Sequence, residues 1–293
     1  MLLERLQSLT TQAGMHRVQL VVPSQGDNRP MAGLLGMLRT AALENPRILS
    51  QLVAVESGQD VAAALLENRD DDARHVRYVG GERQVASWAE CSSTAAVSPW
   101  KDHGVYLVTG GAGGLGSIFA AAIAREVRNP VLVLTGRSTP DERILATIRR
   151  LEALGAVVRY HVIDVADVDA LTGVVRGIPE EFESLDGVVH AAGVLRDGYL
   201  AGKTRQHLRD VFAAKVAGTL NLDDATRDIP LDCFVCFSSI AGAAGNVGQA
   251  DYAAANAFMD AFAHERADRV VRGERHGRTL SVNWPLWAEG GMR

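Results

Sequence analysis

The chain has 293 residues, 47% of them hydrophobic and 22% charged, enough to bury a sizeable core in one large or two medium domains. Thirty Lys and Arg against 35 Asp and Glu leave a net charge of −5, so there is no general basic field to draw nucleic acid or an anionic membrane, and any phosphate must be met locally. The N-terminal run Met1-Leu2-Leu3-Glu4-Arg5 puts charge where a signal peptide needs an apolar core, and no stretch reaches the ~18 apolar residues of a membrane span, so a cytoplasmic protein is expected.

Residues 1–98 read as a small α/β piece, with strands at 16–22 and 49–55 and helices at 31–43 and 60–67. A hairpin turning at Gly80-Gly81 follows. The first strand leads into Pro23-Ser24-Gln25-Gly26-Asp27-Asn28, which has one glycine and no phosphate-cradling spacing, so no nucleotide is expected in this half. The small polar stretch from Cys91 to Pro99 reads as a linker.

Residues 99–293 alternate short apolar strands, at 105–108, 131–134, 157–163, 187–190, 233–237 and 279–283, with helical segments. Continuous apolar strands separated by helices predict a doubly wound parallel sheet covered on both faces. Such a sheet binds ligands at the carboxyl ends of its strands. The polar and glycine-rich motifs fall there.

After the first of these strands comes Thr109-Gly110-Gly111-Ala112-Gly113-Gly114-Leu115-Gly116, opening into a helix. That context lets Thr109, Gly110, Gly113, Gly114, Leu115 and Gly116 bring the backbone close to a pyrophosphate at a helix N-terminus. The second strand ends in Arg137-Ser138 rather than in the acidic residue that would hold a ribose 2′-hydroxyl. An arginine there suits a 2′-phosphate and hence NADPH, although a surface cation at a strand end reads the same way. Asp164 and Val165 follow the third strand, where Asp164 fits a turn equally well, and Ala191, Ala192 and Gly193 follow the fourth.

Ser239 follows the fifth strand, and Tyr252 and Asn256 stand four residues apart, on one face of a predicted helix. A phenol with an ordinary pKa near 10 remains protonated at neutral pH and can give its proton to a ketone oxygen as hydride arrives at carbon. Ser239 suits a second hydrogen bond to that oxygen. Lys215 is the candidate cation, with a solvated helix lysine as the competing reading. Cys233 and Cys236 form a CxxC, but on a strand residues three apart face opposite ways, so they read as core cysteines, and no metal site is expected.

Taken together, these residues resemble the short-chain dehydrogenase/reductases, and within them the ketoreductase domains of modular polyketide synthases. The likeness rests on Tyr252-Ala253-Ala254-Ala255-Asn256 in place of Tyr-x-x-x-Lys, with the lysine upstream in Lys215-Val216-Ala217-Gly218. Leu134-Thr135-Gly136-Arg137-Ser138, Val189-His190-Ala191-Ala192-Gly193-Val194 and Asn283-Trp284-Pro285-Leu286-Trp287 are also similar to the family, as is Ala41-Ala42-Leu43-Glu44-Asn45-Pro46 in the first half.

The resemblance implies a Rossmann-like catalytic subdomain at 99–293 and a smaller, degenerate Rossmann-like structural subdomain at 1–98. It also implies Ser239, Tyr252, Asn256 and Lys215 as catalytic residues and NADPH as reductant. The substrate would be a β-ketoacyl chain on an acyl carrier protein, with neighbouring polyketide synthase domains as further partners.

Members that form the D-hydroxyl carry Leu-Asp-Asp where this chain has Leu195-Arg196-Asp197, and members that form the L-hydroxyl carry Trp at the position of Ala244. The retained Asp197 and the missing Trp imply the D type. The family continues into a lid helix and a last strand, which this reading expects beyond Gly290-Gly291-Met292-Arg293. A reductively silent or epimerising domain and a freestanding reductase of small ketones are the competing functions, and the intact Ser239, Tyr252, Asn256 and Lys215 weigh against silence.

Overall fold

The computed structural model describes residues 1–26, 29–90 and 98–287. The chain opens with helix α1 (Leu2–Thr10) and strand β1 (His16–Pro23). A 3₁₀ turn (Arg29–Leu34) leads into α2 (Leu35–Glu44), so the helix expected at 31–43 begins as a tighter winding, as helix starts often do. It stops before Asn45, which is extended because Pro46 excludes the helical conformation from the residue before it. Then come β2 (Ile48–Val55), α3 (Val61–Glu67), β3 (His75–Val79) and β4 (Glu82–Val85). β1, β2 and β3 pair in parallel, and β3 and β4 form an antiparallel hairpin across Gly80-Gly81.

The second sheet is built from β5 (Val105–Thr109), α4 (Gly114–Glu126), β6 (Val131–Gly136), α5 (Glu142–Ala153), β7 (Val157–Val162), α6 (Val168–Phe182) and β8 (Gly187–His190). After a 3₁₀ turn (Leu200–Gly202), α7 (Arg205–Phe212) runs through a π-helical turn (Ala213–Ala217) into α8 (Gly218–Ala225). β9 (Cys233–Ser239), α9 (Ile240–Ala244), α10 (Ala250–Val271) and β10 (Arg278–Trp284) complete the order. The strands lie β10-β9-β8-β5-β6-β7, with β7-β6-β5-β8-β9 all parallel. The order reverses at β5, which makes the β5/β8 boundary a crevice for ligands at the carboxyl ends. The register aligns Thr109 with both Thr135 and His190. All three are fully buried.

The core of this sheet joins Tyr106, Val108, Leu132, Leu134, Val189 and Phe237 to Ala120, Ile123 and Leu151 from α4 and α5. Phe119, Phe237, Trp284 and Trp287 extend it as a run of edge-on and tilted rings 4.6 to 5.4 Å apart. Cys233 and Cys236 are both buried, in keeping with the core reading. Burial, with Asp232 and Asp186 nearby, pushes the Cys233 thiol up to about 11, away from any reactive thiolate.

The two sheets fall on either side of residue 98, while the compact units are interleaved in sequence. One comprises Met1–Thr94, Leu195–Arg209 and Ser238–Glu265, and the other Ala95–Val194, Asp210–Phe237 and Arg266–Arg293. In the first unit α10 lies so close to α2 that a Cβ on Gly36 would fall 2.2 Å from the Ala253 carbonyl oxygen. The expected linker lies, for residues 91–97, outside the described residues, as does the chain end from 288 onward. No helix among the described residues is long and apolar enough to cross a membrane.

Candidate active site

In the second unit, β5 hands over to α4 through a turn that only glycine permits at two points. Gly110 has φ 65°, and its amide donates to Thr135 O at 2.8 Å. A Cβ on Gly116 would lie 2.3 Å from Gly110 O, so the first turn of α4 sits directly against the loop. The result is a helix N-terminus whose backbone N–H groups and dipole are open to an anion.

Beside it lies a cavity of about 230 Å³ lined by Gly110, Gly113, Thr135, Arg137, Ser138, Asp164, Val165, Ala192 and Gly193, residues that the sequence assigned to a cofactor. Thr109 is fully buried, its hydroxyl 2.7 Å from His190 Nδ1. Asp164 lines the cavity, and its Oδ1 accepts from Ala166 N at 2.9 Å, as a turn residue does. The Thr135 hydroxyl is buried without a protein partner. A glycine cradle, an orphan hydroxyl and an arginine in the cavity wall fit a nicotinamide dinucleotide.

Sequence reading missed two groups here. Arg143, in the first turn of α5, adds a second guanidinium to the cavity wall, and Tyr160 holds the Arg137-Ser138 turn by donating to Ser138 O at 2.9 Å. The only hint of Arg143 was a cation six residues after Arg137, which on a surface helix carries no message.

Lys215 is buried, not solvated. The π-helical turn carries it inward, where Nζ donates to Phe237 O at 2.9 Å, and its stem lies against Gly193. The full burial of His190, and secondly the Lys215 charge, hold its imidazole neutral, with the pKa pushed down to about 3.

The first unit brings together Ser239, Tyr252, Asn256 and Asp197. Ser239 ends β9 and caps α9, accepting from Ala241 N at 3.2 Å. Tyr252 is 5% exposed, and hydrogen bonds with the Asn256 and Ser239 side chains reach its phenol. Burial raises the phenol above its ordinary pKa, these hydrogen bonds pull it back, and the Asp197 carboxylate adds a smaller push upward. The group is therefore a protonated donor at neutral pH. Asn256, fully buried, donates to Tyr252 O at 2.7 Å and leaves Oδ1 without a protein partner. Asp197 accepts from Gln249 Nε2 at 3.0 Å, three residues before Tyr252.

The sequence model of the KR domain family matches residues 104–289. The chain is 43% identical to part of polyketide synthase PksL of Bacillus subtilis (strain 168) over 295 residues, covering 98% of this chain and 6% of that protein. It is 42% identical to part of PksN of the same strain over 281 residues, covering 94% of this chain and 5% of that protein. The chain thus spans about one twentieth of the length of these relatives. Among solved structures it is similar to a ketoreductase domain from the bacillaene assembly line, with TM-score 0.95 and 40% identity, covering all of this chain and 71% of that one.

Proposed function

The chain belongs to the KR domain family, the ketoreductases of polyketide synthases, and we propose that it uses NADPH to reduce a β-ketoacyl chain carried by an acyl carrier protein to the D-hydroxyl product. The observation that carries this reading is the buried Tyr252 phenol, bonded by the Ser239 and Asn256 side chains.

The glycine turn holds the pyrophosphate, and Arg137 with Ser138 receives the 2′-phosphate. When bound, the dihydronicotinamide supplies the hydride. Tyr252 gives its phenolic proton to the oxygen as the carbonyl carbon becomes tetrahedral, so hydride and proton together complete the alcohol. Ser239 donates a hydrogen bond to the same oxygen as charge develops on it. Asn256 holds the phenol in place through its side chain, and Lys215 supplies the positive charge that eases proton release. Asp197, retained in Leu195-Arg196-Asp197, and Ala244 in place of Trp support the D outcome.

The test is loss of nicotinamide absorbance when the protein meets NADPH and a β-ketoacyl thioester, with a parallel NADH run and chiral analysis of the alcohol. NADPH-dependent formation of the D-hydroxyl is expected. Tight NADPH binding without turnover overturns the activity, and an L-hydroxyl product overturns the stereochemical assignment alone.

A further inference from the structure

A fully buried ion pair in the first unit takes no part in the chemistry above. Lys203 Nζ lies 2.7 Å from Asp251 Oδ1, with the two side chains 0% and 1% exposed. Desolvating two charges is costly, and packed apolar residues of similar volume often serve stability as well or better, so stability alone does not explain the pair. What it connects does.

The same ammonium donates to Arg196 O, and Asp251 Oδ1 also accepts from Tyr252 N at 2.9 Å. Arg196 O belongs to the peptide that begins Asp197, and Tyr252 N to the peptide that begins Tyr252. Four atoms, Arg196 O, Lys203 Nζ, Asp251 Oδ1 and Tyr252 N, therefore link the backbone at Asp197 to the backbone at Tyr252.

The loop is fastened from outside as well. Glu44, the last residue of α2, accepts from Leu200 N at 2.6 Å through Oε2 and from Gly248 N at 2.8 Å through Oε1. Gly198 N donates to Gly248 O at 2.9 Å. These part-buried contacts close the rim, and the ion pair fixes the floor.

We propose that Lys203 and Asp251 are a positioning pair that sets the Asp197 loop against the Tyr252 helix and thereby selects which face of the ketone is reduced. The proposal rests on the ketoreductase reading. A loosened floor leaves the cofactor cradle untouched, because the glycine turn lies in the other unit, but lets the ketone oxygen approach the phenol in two poses.

Removing one partner leaves a buried, uncompensated charge and is expected to destabilise the fold, so the test uses paired variants. K203M/D251L removes both charges, while K203M/D251N keeps an acceptor for Tyr252 N. Melting temperature, NADPH affinity, kcat, KM and the epimer ratio are measured on each beside the parent chain. K203M/D251L is expected to fold and to bind NADPH within about twofold of the parent, with kcat lowered about 10- to 100-fold and the minor epimer raised at least about tenfold. K203M/D251N is expected to recover part of kcat but not the epimer ratio, a split that a purely structural role does not produce. If K203M/D251L does not fold, K203M/D251N is read by the epimer criterion alone. Parental kcat and epimer ratio in a folded paired variant overturn the positioning role while leaving the ketoreductase reading intact. No turnover by the parent chain overturns both.

Discussion

The glycine-containing turns after β1 and β5 both follow a parallel strand, and they differ in what a side chain would meet. After β1, Gly26 has φ 74° and open space within 4 Å of a Cβ. After β5, a Cβ on Gly116 would strike Gly110 O at 2.3 Å, and one on Gly110 would lie 3.0 Å from Ala191 O. The first glycine serves backbone conformation only, whereas the second pair lets three backbone segments close on one another. A phosphate cradle is recognised by that crowding, more than by glycine content. The crowded turn and Lys215 belong to one unit, and Tyr252, Ser239 and Asn256 to the other.

The largest effect that tests this division is expected from Tyr252→Phe. Only the proton donor is lost, so kcat should fall about 10²- to 10⁴-fold while NADPH affinity stays at the parent value. Fluorescence titration beside steady-state kinetics checks it, and substantial retained turnover would remove the assigned role. Gly116→Val is the mirror experiment. Overpacking against Gly110 should weaken NADPH by up to about 100-fold, whereas Gly26→Ala should leave NADPH affinity unchanged and cost about 1 kcal/mol of stability from its positive φ.

Arg137→Ala should raise the Kd for NADPH about 10- to 100-fold and leave NADH within about twofold, since a charge-assisted bond to the 2′-phosphate exists for one cofactor only. Equal losses for both would refute the 2′-phosphate contact. The smallest effect concerns acid, and each unit has a histidine that reports it. Burial pushes His75 down to about 4, with Arg39 and Arg77 adding to it, and His190 to about 3. Both fold as neutral bases below their unfolded pKa near 6.5, so their stability contribution is complete above that value and is lost as pH falls from 6.5 towards 4 and 3. Near pH 5.5 each should cost about 1 kcal/mol. Denaturant titrations at two pH values, with His75→Gln and His190→Gln, divide that loss between the units.

Much of the second sheet was legible because its strands are short apolar runs punctuated by Gly, Asp and Ser, and the observed ends differ from the expected ones by at most two residues. The glycine turn, Arg137-Ser138 and the 191–193 run were legible for the same reason, since each lies at a strand end where local pattern and topology coincide. Lys215 was not. A lysine in a helical pattern reads as surface, and nothing local announces a π-helical turn that rotates it inward. Lys203 and Asp251 are 48 residues apart, and each alone looks like a solvated charge. The interleaving of the units was equally hidden, because the approach of α10 to α2 at Gly36 is a long-range contact.

The π-helical turn at Ala213–Ala217 bears on any attempt to redesign this protein. A π turn holds one residue more than an α-helix needs, so deleting Ala213 or Ala214 would give a more regular α7–α8 rod. The flanking residues would keep their faces, since the turn absorbs its extra residue, but Lys215, inside it, would lose the placement that brings its ammonium to the Phe237 carbonyl. A stabilisation campaign that scores ideal helices would choose that deletion and, with it, give up the buried Lys215–Phe237 hydrogen bond.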